Sequence, residues 1–428
     1  MKRLKLAGIG CGGRTITYMN LASQMPEYYE VVAAADPRGN RVERARQASR
    51  NPEFRGFTCD SEILAHPKLA DIMIIGTQDD YHVEPCIAAM EKGYDILLEK
   101  PIAQNIDAVI DLEARAHELK RRVLVCHVLR YAPFYRKVKD LIDSGAIGDV
   151  ITMNAIEGVG AWHQCHSFVR GHWAVVEESN PMLIAKSCHD MDILYWMAGA
   201  RCRRVSSYGH QSWFNAEHCP KGAPKYCVEG CPIGMECPYN AMLYATRHRG
   251  WLRHVYDHED GASLEQIREW LSHSKWGRCV YQCDNTTVDH QIVSCDFENG
   301  VTATFTMTAF DNGRNIEIQG SKGRLRAGDF VKRRTGHEII VEEHDGGNTT
   351  HYDVSSMVGG YSGHGGGDPG LVVGLYDEMT KREPEEMLSA LKVSVESHLM
   401  GFAAEESRLQ KKTVSLADYY SEHGGSRR

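Results

Sequence analysis

The sequence predicts an α/β fold: a doubly wound parallel sheet in the first third of the 428-residue chain, followed by a second domain. Three observations support this sheet. Short apolar runs typical of buried strands alternate with longer segments typical of helices. A glycine-rich turn follows the first apolar run, and polar residues follow later runs, as they do at the carboxyl edge of a parallel sheet. That edge is therefore expected to bind a ligand.

The first strand is predicted at Leu4–Ile9 and runs into a glycine-rich turn. Gly8, Gly10 and Gly13 fit the pattern G-x-G-x-x-G. In this pattern the first glycine permits a tight turn, the second lets the backbone approach a pyrophosphate, and the third lets the next helix pack close to the strand. The start of that helix offers free N–H groups to phosphates. The motif predicts a dinucleotide site on a Rossmann domain.

The second strand is predicted at Tyr29–Ala35 and ends at Asp36. An acidic residue about 20 residues past the glycines holds a ribose 2′-hydroxyl in such domains. Because its carboxylate would repel a 2′-phosphate, NAD is the expected cofactor, although Arg38 leaves NADP open. The alternative is that the glycines form a plain turn and that Asp36 caps the next helix.

The alternation continues to residue 127, the predicted end of this domain. Further strands are expected at 71–76, 95–98 and 123–127, and helices at 82–92 and 106–120. Right-handed crossovers place the carboxyl ends of the strands along one edge. Residues that follow strands at this edge are predicted to bind the cofactor: Thr77, His82, Glu99 and Lys100.

The composition excludes several classes of partner. With 57 acidic and 49 basic residues the net charge is -8, which argues against a nucleic-acid or anionic-membrane surface. No apolar run approaches the roughly 18 residues of a membrane span. The N-terminus runs directly into the first strand without a signal-peptide pattern. We therefore expect a cytoplasmic protein.

Motifs along most of the chain are similar to those of one enzyme family. They are Gly8-Ile9-Gly10, Thr77 to His82, Leu98-Glu99-Lys100-Pro101, Arg130-Tyr131 with Pro133, Gly145 to Gly148, Cys188 to Asp192 and Gly320 to Gly323. Together they resemble the Gfo/Idh/MocA oxidoreductases, named for glucose–fructose oxidoreductase and inositol dehydrogenase. The resemblance implies a homo-oligomer with an α+β second domain at 128–415, whose open, largely antiparallel sheet covers the nicotinamide and substrate. Residues 416–428 are expected to form a C-terminal tail.

The resemblance also implies an NAD-dependent oxidoreductase that acts on a hydroxyl-bearing carbon of a sugar, sugar derivative or cyclitol. It assigns Lys100 to the active site. His189 is suited to act as the general base for a hydroxyl proton, and Asp192 is expected to orient it or to lie near the cofactor and substrate. The alternatives are a surface lysine paired with Glu99 and a core histidine.

The sequence departs from the family at one place. Many members carry an aspartate four residues before the histidine, where this chain has Ala185 followed by Lys186. This difference favours a second hypothesis, an NAD-dependent glycosidase that oxidises its sugar transiently, eliminates the leaving group and returns the hydride. A third hypothesis, a non-enzymatic dinucleotide sensor, fits poorly with so many titratable groups.

Substrate contacts are predicted in two segments. Residues 162–173 are dense in aromatic side chains and donors, and His163 and His166 suit a sugar ring. Arg170 suits an anionic group on that ring. His364 follows a glycine-rich stretch and is also expected to reach the substrate. The alternative for both segments is a surface loop without function.

Four cysteines crowd into a segment rich in proline and glycine: Cys219, Cys227, Cys231 and Cys237. Because such a segment is not expected to form a core of its own, we predict a cross-link by structural zinc bound to four thiolates. The alternatives are an iron–sulfur cluster, or Cys279 or Cys283 in place of Cys219. The insertion, about 210–280, is predicted to be a metal-stapled lid over the sugar site.

Overall fold

The fold is given by a computed structural model that describes residues 2–253, 255–256, 261–328, 338–358 and 363–425. The first domain alternates strands and helices. Its strands are β1 (Leu4–Ile9), β2 (Tyr29–Ala35), β3 (Arg55–Phe57), β4 (Ile72–Ile75), β5 (Asp95–Leu98) and β6 (Val123–Val125), and its helices are α1 (Gly13–Ala22), α2 (Gly39–Ser49), α3 (Asp60–Ala65), α4 (Val83–Glu91) and α5 (Ile106–Leu119).

All six strands are parallel, in the order β3-β2-β1-β4-β5-β6. Every residue of β4 is buried, because helices cover both faces of the sheet. From β1 the strand order runs to β2 and β3 on one side, and β4, β5 and β6 follow on the other side. The order therefore reverses between β1 and β4, which places the ligand crevice at the carboxyl ends of these two strands. The predicted Rossmann domain is confirmed.

The second domain contains the remaining elements. Its strands are β7 (Val150–Val159), β8 (Cys202–His210), β9 (His290–Phe297), β10 (Thr302–Thr308), β11 (Asn312–Gly320), β12 (Gly323–Gly328), β13 (Glu338–Glu343), β14 (Thr349–Asp353) and β15 (Val414–Ser415). Its helices are α6 (Pro133–Asp143), α7 (Ala161–His163), α8 (Met182–Ala185), α9 (Cys188–Ala198), α10 (Arg249–Leu252), α11 (Leu264–His273), α12 (Ser355–Val358), α13 (Gly367–Thr380), α14 (Leu391–Gln410) and α15 (Leu416–Glu422).

The nine strands form one sheet in the order β14-β13-β12-β11-β7-β10-β9-β8-β15. Neighbouring strands are antiparallel except β7 and β10, which are parallel. Helix α14 packs against β8, and also against α9 and the first domain's α5. The predicted open, largely antiparallel sheet is confirmed, and α14 joins it to the Rossmann domain.

Two predicted segments differ in the structure. The region predicted as a tail begins with α15, whose Leu416 and Tyr420 are buried, and Tyr420 Oη donates a hydrogen bond to Glu113. Residues 426–428 lie outside the described part. The insertion between β8 and β9 has small apolar clusters of its own, which include Leu252 and Leu271. Over the described ranges, no helix is both long and apolar enough to cross a membrane.

Candidate active site

The glycine turn lies at the carboxyl ends of β1 and β4. Gly10 has a φ of +83°, and a Cβ at this position would lie 2.6 Å from the carbonyl oxygen of Gly76 and 2.6 Å from the amide nitrogen of Thr77. Both the conformation and the close approach therefore require glycine at position 10. The turn leaves the start of α1 open towards the crevice.

The other two glycines have roles different from those predicted. Gly8 lacks a positive φ, and a Cβ there would lie 2.6 Å from Met19 Cε. Gly8 therefore allows α1 to pack close to β1, the role predicted for Gly13. A Cβ at Gly13 would meet no atom within 4 Å of the described chain, so Gly13 is not needed for that contact.

Helix α1 and Asp36 complete the edge of the crevice. No side chain caps the first N–H groups of α1, so they remain open to an anion. The buried Asp36 carboxylate accepts hydrogen bonds from the amides of Cys11 and Arg38, each 2.8 Å long and each to a different oxygen. A carboxylate has about four lone-pair sites, so capacity remains for ligand hydroxyls. Arg41 Nη1 lies 3.9 Å from the same carboxylate.

Lys100 follows β5 on the same edge. Its Nζ donates to the carbonyl of Ala185 at 3.1 Å, and an ammonium has three donors. The neighbouring Glu99 is buried and accepts hydrogen bonds from Arg14 Nε (3.0 Å) and Tyr18 Oη (2.6 Å). Burial alone would raise the pKa of Glu99, but Arg14 and Lys100 hold it below its usual value. Glu99 thus anchors the Arg14 guanidinium and the backbone amide of Lys100.

Three residues predicted to bind the cofactor also bond within the protein, and their cofactor contacts stay predictions. His82 is buried, and its Nδ1 donates to the carbonyl of Pro101 at 2.7 Å. The carboxylate of Glu99 faces Arg14 and Tyr18. Thr77 Oγ1 donates to the carbonyl of Tyr81 at 2.8 Å, which fixes the loop after β4.

His189 lies in the first turn of α9 and is 3% exposed. Neither ring nitrogen has a hydrogen-bond partner among the described residues. The ring centroids of His127 and His364 lie 5.8 and 5.7 Å from its own. Burial, and after it the charge of Lys100, hold the pKa of His189 well below its usual value. The imidazole is therefore neutral near pH 7 and able to accept a proton.

Asp192 does not orient His189 as predicted. Its two carboxylate oxygens accept hydrogen bonds from Arg130 Nε at 2.7 Å and Arg130 Nη2 at 2.8 Å. Arg130 is 4% exposed and Asp192 1% exposed, so this is a buried bidentate ion pair. The substrate contact at Asp192 stays a prediction, and the structure adds a role for its carboxylate as the buried partner of Arg130.

His364 lies beside His189 on the loop that precedes α13. Its Nδ1 is 3.0 Å from Asp368 Oδ1. Arg14 donates to both oxygens of Asp368, at 2.9 and 2.7 Å. Since Arg14 also binds Glu99, the first turn of α1 is joined to α13 and to the end of β5 through one guanidinium group.

Lys186, Glu157, Arg314 and Asp190 form a chain of three opposite-charge contacts. Lys186 Nζ is 3.3 Å from Glu157, and Arg314 Nε is 2.7 Å from Glu157 and 2.8 Å from Asp190. Burial, and next the charge of Lys186, hold the pKa of His163 well below its usual value. Lys186 itself is paired with the carboxylate of Glu157, and substrate binding by His163 stays a prediction.

The other two residues predicted to bind the substrate anchor the insertion. His166 is buried, and its Nδ1 hydrogen-bonds with Tyr244 Oη at 2.6 Å. Arg170 is also buried and donates to the carbonyls of Arg278 and Tyr239, each at 2.7 Å. Substrate binding by His166 and Arg170 stays a prediction, and the structure shows that both side chains bond to the insertion.

The structure does not support the predicted zinc site or the iron–sulfur alternative. Across the described ranges, no group of three or more His, Cys, Asp and Glu side chains is arranged to hold a metal ion. This covers the four predicted ligands Cys219, Cys227, Cys231 and Cys237. Gln282 Nε2 donates to Cys219 Sγ at 3.3 Å, and Arg170 Nη2 lies 3.8 Å from Cys227 Sγ. Apolar clusters and the hydrogen bonds of Arg170 contribute to the packing of the insertion.

The chain matches two protein-family models. Residues 4–127 match a model described as an oxidoreductase family with an NAD-binding Rossmann fold, and residues 139–416 match its C-terminal alpha/beta domain. The chain belongs to the Gfo/Idh/MocA family. It is an NAD-binding oxidoreductase of that family, and the resemblance seen in the sequence motifs is confirmed.

Relatives of this Gfo/Idh/MocA protein include YteT of Bacillus subtilis, 22% identical over 98% of this chain and 99% of that protein. The NAD(+)-dependent scyllo-inositol 2-dehydrogenase of Bacillus subtilis is 28% identical over 44% of this chain and 52% of that enzyme. An oxidoreductase from Agrobacterium radiobacter, solved with NAD+, L-tartaric acid and magnesium, has a TM-score of 0.70 at 14% identity, covering 98% and 100% of the two chains. This structural likeness supports the fold.

Several residues of the site are missing from the sequence predictions. Arg14 directly follows the glycine motif at the start of α1, a position that is a usable signal. Arg314 carries no such signal, because its partner Asp190 is 124 residues away in the chain. Arg130 belongs to a family motif, but its partner Asp192, 62 residues away, was not predicted. His127 ends the predicted strand 123–127 at the crevice edge, so its position was predictable although its contact with His189 was not.

Proposed function

We propose that this Gfo/Idh/MocA protein oxidises a hydroxyl-bearing carbon of a sugar, sugar derivative or cyclitol, with NAD as the hydride acceptor. The observation that carries the proposal is a buried His189 without a hydrogen-bond partner among the described residues, on the segment that Lys100 contacts. Lys100 bonds the carbonyl of Ala185, four residues before His189, and its charge acts on His189. A cationic donor and a neutral base are what a hydroxyl needs to lose its proton.

The residues around the glycine turn fit NAD. The cradle at Gly10, which a Cβ would fill, and the uncapped start of α1 suit a pyrophosphate. The spare lone pairs of Asp36 suit the ribose hydroxyls, and its negative charge disfavours a 2′-phosphate. When bound, the nicotinamide supplies the hydride acceptor, and the protein supplies the binding and proton-transfer groups.

The protein's own part in the reaction is proton transfer and charge stabilisation. His189 accepts the hydroxyl proton, because burial keeps its imidazole neutral. Lys100 donates a hydrogen bond to the same hydroxyl oxygen and stabilises the negative charge that develops there, an interaction strengthened in a water-poor site. His163 is a further donor or acceptor for a hydroxyl-rich substrate. The named activity of the inositol dehydrogenase relative supports this substrate class.

A substrate panel tests the proposal. The protein is incubated with NAD and with sugars, cyclitols and 4-nitrophenyl glycosides while NADH and nitrophenol absorbance are recorded. Net NADH formation supports the dehydrogenase. Nitrophenol release without net NADH would instead support the transient-oxidation glycosidase. Bound NAD with neither signal for any compound would contradict both enzymes and favour a sensor.

Substitution of Gly10 tests the cofactor cradle. Gly10→Ala is expected to weaken NAD binding about 100-fold, or roughly 3 kcal/mol, because the Cβ meets backbone atoms at a positive φ. Gly13→Ala is the matched control, since its Cβ has free space, and it should change the Kd less than about threefold. Isothermal titration calorimetry with NAD measures both. Equal losses in the two variants would contradict this account.

Substitution of Asp36 tests the choice of cofactor. Asp36→Ser is expected to reduce the preference for NAD over NADP about tenfold, or roughly 1.4 kcal/mol, because it removes the charge that repels a 2′-phosphate. The ratio of the two Kd values measures the effect, with Asp60→Ser on α3 as the acidic control. An unchanged ratio in Asp36→Ser would refute the role of this carboxylate.

A further inference from the structure

Four histidine rings form a row through the site. Adjacent ring centroids are 5.7 Å apart between His364 and His189, 5.8 Å between His189 and His127, and 5.7 Å between His127 and His398. Their chain positions are far apart, so the row is created by the contact between the two domains. Spacings of this size allow proton transfer through one intervening water. A base that accepts a proton in a buried site needs such a route to release it.

The inner end of the row is closed. His398 is fully buried, its Nε2 accepts the amide hydrogen of Ile102 at 3.0 Å, and its Nδ1 donates to the carbonyl of Ser394 at 2.8 Å. Both nitrogens are thus committed to backbone groups in one neutral tautomer. Burial lowers the pKa of His398 to about 3. His127 is also fully buried, so a proton that moves inward from His189 reaches no solvent.

The outer end is open. The His364 side chain is 31% exposed, and its Nδ1 faces Asp368 at 3.0 Å. Since Arg14 holds Asp368 as a carboxylate, Nδ1 donates to it and Nε2 is the nitrogen available for exchange. The charged or titratable groups that act on His364 are Asp368, Arg14, Lys186 and His189. Asp368 favours the protonated ring, while burial and the cations oppose it.

The backbone holds His364 in this position. Its φ is 48° and its ψ is 41°, a left-handed conformation that is uncommon for residues other than glycine. Gly365 and Gly366 continue with positive φ, and a Cβ at Gly367 would lie 2.4 Å from the carbonyl oxygen of Val128. Such a conformation persists where the surrounding structure fixes it, which is common at functional sites.

We propose that His364 carries the proton between His189 and solvent, with Asp368 and Arg14 as its positioning residues. The inference rests on the proposed function. When the substrate hydroxyl becomes a carbonyl, its O–H bond breaks and an N–H bond forms on His189, while the hydride leaves to the nicotinamide. His189 then gives its proton to His364, whose Nε2–H passes one proton to water, so both imidazoles return to the neutral state.

Two substitutions test this relay with the panel compound that forms NADH fastest. His364→Asn suits the left-handed backbone but transfers no proton, so kcat should fall about 100-fold with KM changed less than about threefold. His364→Gly also suits the backbone and leaves space for imidazole. Added imidazole should restore its kcat saturably, by about tenfold or more. In stopped flow, an indicator dye should show proton release delayed behind NADH formation in His364→Asn.

The matched control is His423, which also pairs with an aspartate (Asp107, 2.6 Å), but on the exposed surface. His423→Asn should keep wild-type kcat and show no response to imidazole. A His364→Asn enzyme with wild-type kcat, or a His364→Gly enzyme that imidazole does not restore, would overturn the relay while NADH formation leaves the proposed function standing. No NADH from wild-type protein with any compound would overturn both.

Discussion

Replacement of Lys100 by methionine is expected to lower kcat/KM about 1000-fold, the middle of the range for loss of a positioned acid–base group. Methionine preserves the unbranched apolar stem but removes the ammonium that faces the reacting hydroxyl. The hydrogen bond to the Ala185 carbonyl is lost as well. The charge that lowers the pKa of His189 disappears too, so the acidic limb of the pH–rate profile should move to higher pH. Steady-state kinetics from pH 5 to 9 measure both effects.

The control for this experiment is Lys381→Met. Lys381 is a half-exposed lysine that pairs with Asp377 one helical turn away, so its replacement should leave kcat/KM within about twofold. NAD binding by Lys100→Met should also stay close to that of the wild type, which shows that the cofactor site survives. A Lys100→Met enzyme with more than about a tenth of wild-type activity would rule out Lys100 as a catalytic residue.

The positions of residues that directly follow parallel strands were predictable from the sequence. Lys100 and Asp36 each follow a buried parallel strand, and such ends share one edge of the sheet whatever the side-chain packing. His189 was found because it begins an apolar helix in a family motif. The three-residue strand β3, two of whose residues are exposed, carries too weak an apolar pattern to be predicted.

Contacts between residues far apart in the chain were not predicted. Asp192 and Arg170 have the residue types of a substrate site, and the structure pairs them with Arg130 and with the carbonyl of Arg278. Sequence spacing does not show such pairings, because they arise only when the two domains or the insertion pack together. The metal site was predicted because the cysteine-rich segment is also rich in proline and glycine and was not expected to form a core. Apolar residues elsewhere in the insertion, such as Leu271, form a core beside that segment.

Arg14 links the cofactor site to the second domain. It bonds Glu99 next to Lys100, the proposed catalytic residue, and it bonds Asp368, which contacts His364. The start of α1 is also where the phosphates of the dinucleotide are proposed to bind. Cofactor binding and the geometry of both proton-transfer residues therefore depend on the same short segment, which explains why the site needs both domains.

Asp192→Ala is expected to destabilise the protein by about 3–5 kcal/mol, because it leaves the Arg130 guanidinium buried without its carboxylate. The pair is almost inaccessible, at 4% and 1% exposed, so solvent cannot replace the lost partner. Arg130 keeps hydrogen bonds to two backbone carbonyls, those of Leu388 at 3.0 Å and of residue 192 at 3.5 Å, which do not neutralise its charge. Urea unfolding monitored by circular dichroism measures the loss.

The double variant Arg130→Met/Asp192→Leu distinguishes the stability cost of an uncompensated buried charge from the cost of lost side-chain packing. Because both charges are removed and apolar volume is kept, it should recover most of the stability that Asp192→Ala loses, as buried ion pairs are often replaceable by packed apolar side chains. Recovery would show that Asp192 compensates Arg130 and does not contact substrate. The opposite pattern, full stability in Asp192→Ala with activity lost, would return Asp192 to the substrate site predicted from the sequence.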